Sequence, residues 1–350
     1  MPVDADAALD ALRSQSVMIL RDVADARTLE TYGNAHGCEI NASDVSLLRK
    51  LFRALSALDG APWTRAGTKD GAVVYRRSSD DGASRAHQVL GIAETAAGPD
   101  EIFRFFSDAS AFDARFRTLD DMFKGGDVLS YRLYDDMREV GGVGGGAVAE
   151  EGAARGTRRR LLERFSRDAA PRFGELFERL DRAARMNVES GSVSAGAGRG
   201  ERRTAREVLE DVPRARVDGA DANNPLGCRP GHAILRGAFR LPSVIRDRDF
   251  VWEQLTMKLP NGAVVVAAQS VESGVVDAVA PPLEGHVRGK ILVSGYYAAP
   301  NPATGGSTLY YVVQADPKGQ LPMWVVNLVA PDQAQNVARL RNYLDGASPR

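Results

Sequence analysis

Hydrophobic and polar positions follow two successive patterns near the end of the chain. The run Leu309–Gln314 is β-branched and aromatic, which is typical of a strand. A Pro-x-Gly segment beginning at Pro317 then indicates a turn. From Pro322 to Leu344 apolar residues recur at helical spacing, and Pro331 lies inside this pattern, where a proline bends a helix. The pattern therefore predicts a final strand followed by a long, kinked, amphipathic helix.

The same criteria predict several elements before this point. A short helix is predicted at Ala7–Leu20, and a second helix begins near Asp44, an N-cap residue type, with its leucines on one face. Two more helices are predicted at Pro99–Phe106 and Ala111–Phe123. Strands are predicted at Trp63–Gly67, Ala72–Arg77, Ala86–Ala93, Asp127–Tyr134, Ala263–Val271 and Gly289–Ala298. The order of these elements predicts an α+β fold.

Residues 141–230 interrupt the pattern. Their ends are rich in glycine, alanine and serine, which is typical of flexible segments. Between these ends, Arg158–Arg185 has apolar residues at helical spacing on both sides of Pro171, which predicts two short amphipathic helices. One interpretation is a basic interfacial segment for an anionic membrane. The other is a helical hairpin packed on the domain, which we favour because leucine and aromatic stripes are usually buried.

Composition and charge exclude several classes of protein. The formal net charge is −1, so no overall positive field favours nucleic acid. The two cysteines, Cys38 and Cys228, give neither a disulfide framework nor metal-ligand spacing. The acidic N-terminal sequence lacks the apolar segment of a secretory signal, and the longest apolar run is too short to span a bilayer. We therefore expect a cytoplasmic protein whose membrane contact is transient and peripheral.

The chain shows no pattern typical of a catalytic or metal centre. Its histidines lie in separate segments without the H-E-x-x-H spacing, and no G-x-S-x-G nucleophile motif is found. The sequence from Gly142 to Ala147 fits a relaxed dinucleotide fingerprint, but no βαβ unit surrounds it. We therefore expect no catalytic residues, no cofactor and no metal.

Two motifs in the last third of the chain resemble those of START domains, the lipid-transfer domains related to the steroidogenic acute regulatory protein. The first is FRLPSVIRDRDFVW at Phe239–Trp252. The second is DPKG-x-LP-x-W-x-VN at Asp316–Asn327, followed by LRNYL at Leu340–Leu344. The resemblance implies a helix-grip fold, in which a curved antiparallel β-sheet wraps around a long C-terminal α-helix and encloses an internal apolar cavity. The START-like domain would span residues 44–350, with the insertion at 141–230 and an N-terminal extension at 1–43.

The function implied by the resemblance is non-covalent binding of a lipid or sterol in an internal hydrophobic tunnel, for transfer between membranes or for sensing. The family's gate loop corresponds to Leu241–Arg248, where Val244 and Ile245 are apolar. If Phe250 points inward, strand alternation also points Trp252 and Gln254 inward. In several START domains a buried arginine occupies the position of Gln254, so this residue offers hydrogen bonds but no charge. Our candidate lipid-binding residues are Phe250, Trp252, Gln254 and Gln269 on the strands, and Trp324, Asn327, Leu328 and Pro331 on the helix.

Two other functions stay open from the sequence. A polyketide cyclase or aromatase-like enzyme of the same broad fold would need titratable groups facing the cavity, where we instead expect Gln254 and Gln269. A non-catalytic adaptor would use the 141–230 insertion to bind a membrane or a protein partner. We favour the lipid carrier over both.

Overall fold

The computed structural model describes residues 4–23, 40–58, 60–78, 87–132, 228, 230–241, 245–271, 280–319 and 333–346. The helices are α1 (Ala5–Asp22), α2 (Ala42–Ser56), α3 (Pro99–Ser107), α4 (Phe112–Leu119) and α5 (Asn336–Leu344), and a 3-10 turn at Ala109–Ala111 precedes α4. The strands are β1 (Thr64–Lys69), β2 (Ala72–Arg77), β3 (Gln88–Thr95), β4 (Phe123–Arg132), β5 (His232–Phe239), β6 (Asp247–Lys258), β7 (Val264–Ser270), β8 (His286–Arg288), β9 (Lys290–Pro300) and β10 (Ser307–Asp316). All of them belong to one compact unit formed by residues 1–138, 221–271 and 282–350.

The strands in these ranges form one sheet. Its order is β1-β2-β3-β10-β9-β7-β6-β5-β4, with every neighbouring pair antiparallel, and β8 joins β6 in parallel. The central pairing of β3 with β10 brings the first part of the chain against its last strand. The predicted α+β class, with a large antiparallel sheet and a few helices, is therefore confirmed.

One face of the sheet, which we call the N-terminal face, packs against α1 and α2. Its core includes Leu12 of α1, Leu51 and Phe52 of α2, and Tyr297 of β9. The rings of Phe52 and Tyr297 meet edge to face at 5.4 Å between centroids. Because side chains alternate along a strand, the residues on either side of Tyr297 in β9 point to the opposite face of the sheet.

The opposite face, which we call the cavity face, packs against α3, α4 and α5. Phe106 of α3 contacts Tyr296 of β9 at 4.8 Å between ring centroids. Ile102 of α3 and Val337 of α5 are buried in the same cluster. The sheet therefore has a separate set of helices on each face.

The start of α2 is fixed by a reciprocal cap. The side chain of Asn41 accepts hydrogen bonds from the backbone of Ser43 and Asp44, at 2.8 and 3.1 Å. The carboxylate of Asp44 accepts one from the Asn41 backbone at 3.0 Å. Asp44 is thus the third helical residue of a capping box, and Asn41, not Asp44, is the N-cap.

The C-terminal helix is described only in part. α5 begins at Asn336 and ends at Leu344, within the range predicted for the helix. Residues 320–332, which include the predicted beginning of that helix and its kink at Pro331, lie outside the described residues. Most of the 141–230 insertion also lies outside them, so both of its interpretations stay predictions.

Candidate ligand-binding cavity

A cavity of about 130 Å³ lies on the cavity face of the sheet, beside α4 and α5. Most of its wall is apolar, since β5, β6 and β7 contribute Phe239, Phe250, Trp252 and Val266 and the helices contribute Phe106 and Phe116. Such a wall removes apolar ligand surface from water and offers few competing polar contacts. The cavity is therefore suited to an apolar ligand.

Aromatic packing holds this wall in place. Trp252 contacts Phe116 of α4 at 5.6 Å and Phe112 at 5.7 Å between ring centroids. Gly237, on β5, leaves room for the indole, because a Cβ at this position would lie 3.1 Å from the Trp252 ring and 3.0 Å from Phe123. The absence of a side chain at Gly237 lets the aromatic rings close over the strand.

Three of the residues predicted to bind lipid lie together in the cavity wall. Phe250, Trp252 and Gln254 alternate along β6 and all line the cavity. The amide of Gln254 donates to the hydroxyl of Thr256 at 3.4 Å, so it is a weakly held polar group in the wall. Their position agrees with the strand alternation on which the prediction depends, and their role in binding stays a proposal.

Gln269 lies on the N-terminal face of the sheet, so the prediction that it faces the cavity is wrong. The register of β6 and β7 sets Gln254 opposite Ala268 and Glu253 opposite Gln269. The amide of Gln269 donates to Glu253 at 2.7 Å and accepts from Lys50 at 3.2 Å. Gln269 is thus a surface partner of these two residues and does not line the cavity.

The other predicted site residues are described incompletely. Trp324, Asn327, Leu328, Pro331 and Val244 lie outside the described residues. Ile245 of the gate loop lies in a bend and is half-buried.

Two charged side chains at the C-terminal end of the gate loop, Asp247 and Arg248, tie it to the rest of the fold. Asp247 accepts hydrogen bonds from the Leu241 backbone at 3.0 Å and from Lys124 at 2.6 Å. The buried guanidinium of Arg248 donates to the carbonyls of Arg246, Pro317 and Lys318. Burial lowers the pKa of Arg248, and the neighbouring Arg246 lowers it further. Arg248 therefore joins the gate loop to the turn after β10.

The sequence did not reveal four polar side chains in the cavity wall: Asp120, Asn336, Tyr296 and Tyr311, which we call the polar cluster. One carboxyl oxygen of Asp120 accepts from the Met122 backbone at 2.9 Å, and the other accepts from the Asn336 amide at 3.2 Å. Burial raises the pKa of Asp120, against the opposing effect of these two hydrogen bonds. A carboxyl group of this kind is uncommon in an apolar wall.

The two tyrosines of the polar cluster lie on neighbouring strands. Tyr296 and Tyr311 are paired in register, and their rings stack with centroids 4.4 Å apart. Burial raises the pKa of Tyr311 to about 12 and that of Tyr296 well above 10.0. Both phenols are therefore neutral donors at physiological pH.

Two other kinds of feature are not found among the described residues. No group of three or more metal-ligating side chains comes together there. No helix in the same ranges is long and apolar enough to cross a membrane.

Comparison with known proteins gives one family. The START domain family model matches residues 236–341, a range that contains both motifs. The resemblance inferred from those motifs is confirmed by this match. No protein with curated annotation matches the chain significantly.

Several solved structures are similar to this chain. Human StAR-related lipid transfer protein 5 is 14% identical, with 86% of this chain and 94% of that chain covered and a TM-score of 0.48. The lipid transfer and protein localization domain of human StarD13 (DLC2) is 15% identical, with coverages of 81% and 90% and a TM-score of 0.44. The STAR-related lipid transfer protein from Xanthomonas axonopodis is 15% identical, with coverages of 81% and 99% and a TM-score of 0.43. The resemblance to the START domain family therefore rests on the sequence match over residues 236–341 and not on these scores.

Proposed function

We propose that this chain, whose residues 236–341 match the START domain family, binds a lipid or sterol non-covalently and transfers or senses it. The observation that carries the proposal is the apolar cavity, with Phe250 and Trp252 of the first motif in its wall. Each Å² of apolar ligand surface removed from water contributes about 25 cal/mol to binding. A protein with such a cavity can carry through water a molecule that water does not dissolve.

The proposal includes a helix-grip arrangement. α5 and the residues just before it pack closely on the sheet, because a Cβ on Gly91 of β3 would lie 2.7 Å from Val337 of α5 and 2.4 Å from the carbonyl oxygen of Ala334. We propose that the helix predicted before α5 continues along the cavity. Trp324, Asn327, Leu328 and Pro331 would then face the ligand together with Gln254.

The size of the cavity requires an opening movement. An engineered cavity of about 150 Å³ in another protein holds one benzene molecule, and the cavity here, at about 130 Å³, is of similar size. A whole lipid therefore fits only if the wall moves. We propose that the gate loop, with Val244 and Ile245, opens during brief contact with a membrane surface, while Asp247 and Arg248 hold its C-terminal end.

An enzyme of the cyclase or aromatase type is the second candidate, because Asp120 is a titratable group in the cavity wall. A carboxyl with a raised pKa can act as a general acid or base. We favour the carrier because both oxygens of Asp120 already accept hydrogen bonds from Met122 and Asn336, which suits a fixed binding group. We accordingly propose a non-enzymatic, cytoplasmic protein that meets membranes peripherally.

The test is native mass spectrometry of the purified full-length protein, followed by organic extraction and lipid identification. We expect one lipid per chain, and we expect it to be chemically unchanged after prolonged incubation with the protein. Conversion of the lipid would favour the enzyme. An empty protein that also takes up neither sterol nor phospholipid from vesicles would refute the carrier.

A further inference from the structure

The polar cluster concentrates hydrogen-bonding groups in one part of an apolar wall. Asp120 and Asn336 approach from the helix side, and Tyr296 and Tyr311 from strands β9 and β10. All four are less than a tenth exposed, at 6%, 5%, 8% and 8%. Buried polar atoms are expected to be hydrogen-bonded, so the unused atoms of this cluster indicate what a ligand would supply.

The hydrogen bonds within the cluster leave acceptor capacity on the Asp120 carboxylate and a donor on the Tyr296 hydroxyl. Each oxygen of Asp120 accepts one hydrogen bond from the protein and has room for another. The side-chain amide of Asn336 donates to Asp120 and accepts from Arg339 at 2.9 Å. The hydroxyl of Tyr311 already has hydrogen-bond partners in Asn336 and Ser294. The hydroxyl of Tyr296 has no hydrogen-bond partner in the part of the chain that the structure describes. A single ligand hydroxyl could donate to Asp120 and accept from Tyr296.

The cluster offers little to an anionic ligand. The guanidinium of Arg339, which acts electrostatically on Asp120, donates to Asn336 and to the exposed carboxylate of Asp121. The guanidinium of Arg248 also lines the cavity, and it donates to the carbonyls of Arg246, Pro317 and Lys318. A ligand carboxylate or phosphate here would face Asp120, and one of the two groups would have to take up a proton. A hydroxyl meets no such repulsion.

We infer that the polar cluster is a head-group site that takes a lipid with an uncharged hydroxyl and rejects the same lipid with an anionic head. This inference rests on the proposed function and adds the chemical class of the ligand to it.

The test compares two probes that differ only in the head group. 1-Tetradecanol and tetradecanoate are titrated at pH 8 against full-length protein loaded with the apolar dye 1-aminoanthracene, and displacement is followed by fluorescence. We expect the alcohol to displace the dye at about tenfold lower concentration, the ratio that corresponds to about 1.4 kcal/mol. Asp120→Asn removes the charge, so this preference should fall below about threefold.

Two tyrosine variants provide a matched pair. Tyr296→Phe removes only the hydroxyl in the cavity and should weaken displacement by the alcohol about two- to tenfold, as expected for one hydrogen bond. Tyr297→Phe removes the neighbouring hydroxyl, which bonds to Gln15 on the N-terminal face, and should leave both probes unchanged. If Asp120→Asn does not fold, as judged by circular dichroism, the comparison of Tyr296→Phe with Tyr297→Phe still tests whether the polar cluster binds the ligand hydroxyl.

The outcomes separate this inference from the proposed function. Equal displacement by the two probes, a preference that Asp120→Asn leaves intact, or equal effects of the two tyrosine variants would overturn the inference, while the carrier stands. If neither probe displaces the dye and no lipid is taken up from phosphatidylcholine and cholesterol vesicles, the carrier itself is refuted.

Discussion

Filling the cavity from the sheet side should abolish ligand binding without harming the fold. Ala268 of β7 lines the cavity opposite Gln254 and is nearly fully buried. In Ala268→Phe, an apolar ring would enter the space that we assign to the ligand. We expect the variant to fold and to take up no lipid.

The expected stability follows from the cavity volume. At about 24 cal/mol per Å³, an empty cavity of 130 Å³ corresponds to about 3 kcal/mol of lost packing. A single side chain recovers only part of this, and cavity-filling substitutions commonly contribute about 0.5–2 kcal/mol. A gain of about 1 kcal/mol raises the Tm of a domain of about 150–250 residues by about 2–4 °C, and for this longer chain we expect a rise near the lower end of that range.

Ala267→Phe is the matched control on the N-terminal face. Ala267 is fully buried opposite Gly295, where a Cβ would already lie 2.8 Å from Leu51. The same ring therefore has no free space there, and overpacking should lower stability by about 1–3 kcal/mol. Ala268→Phe should therefore raise the Tm, whereas Ala267→Phe should lower it.

The assay combines thermal unfolding of both variants without ligand with lipid uptake from vesicles, followed by native mass spectrometry. A lower Tm for Ala268→Phe, similar to that of Ala267→Phe, would show that the cavity has no room for a ring. Stoichiometric lipid uptake by a stable Ala268→Phe would show that the ligand binds elsewhere.

Two further predictions concern the helix side of the cavity. Burial raises the pKa of Asp120 above its ordinary value of 3.8, so the folded protein binds this proton more tightly than the unfolded chain does. The folded protein therefore loses stability as the pH rises from below 3.8 through the raised pKa of Asp120. The Tm difference between Asp120→Asn and wild type should therefore shift in favour of the variant from about pH 3.5 to pH 7.5, and a constant difference would contradict this. Gly91→Ala should cost about 1–3 kcal/mol in denaturant unfolding, because its Cβ would lie 2.4 Å from the Ala334 carbonyl. Gly98→Ala, where a Cβ would meet nothing within 4 Å, should cost less than about 1 kcal/mol, and equal losses would contradict the contact.

The sequence predicted which way side chains point where the prediction depends on one strand alone, while their role in binding stays a proposal. Phe250, Trp252 and Gln254 face the cavity because side chains alternate along β6, and that rule needs no knowledge of neighbouring strands. The placement of Gln269 failed because it required the register between β6 and β7. A shift of one residue in that register moves a side chain to the other face.

The polar cluster could not be predicted from local patterns. Asp120 and Asn336 are 216 positions apart in the chain and meet only because the C-terminal helix returns to α4. In the sequence, Asp120 is one of two aspartates after a short helix, where a solvent-exposed cap is the ordinary expectation. Its burial is a result of tertiary packing.

The division of the sheet into two faces gives a last prediction about α1. The sequence marks residues 1–43 as an extension, yet Leu12 is fully buried against the N-terminal face. Leu12→Ala should therefore cost about 2–5 kcal/mol in denaturant unfolding. The variant should bind ligand as tightly as the wild type at temperatures where it is folded, since the cavity lies on the other face. Weaker binding by a fully folded variant would show that the two faces are coupled through the sheet, and α1 would then be part of the binding mechanism as well as part of the core.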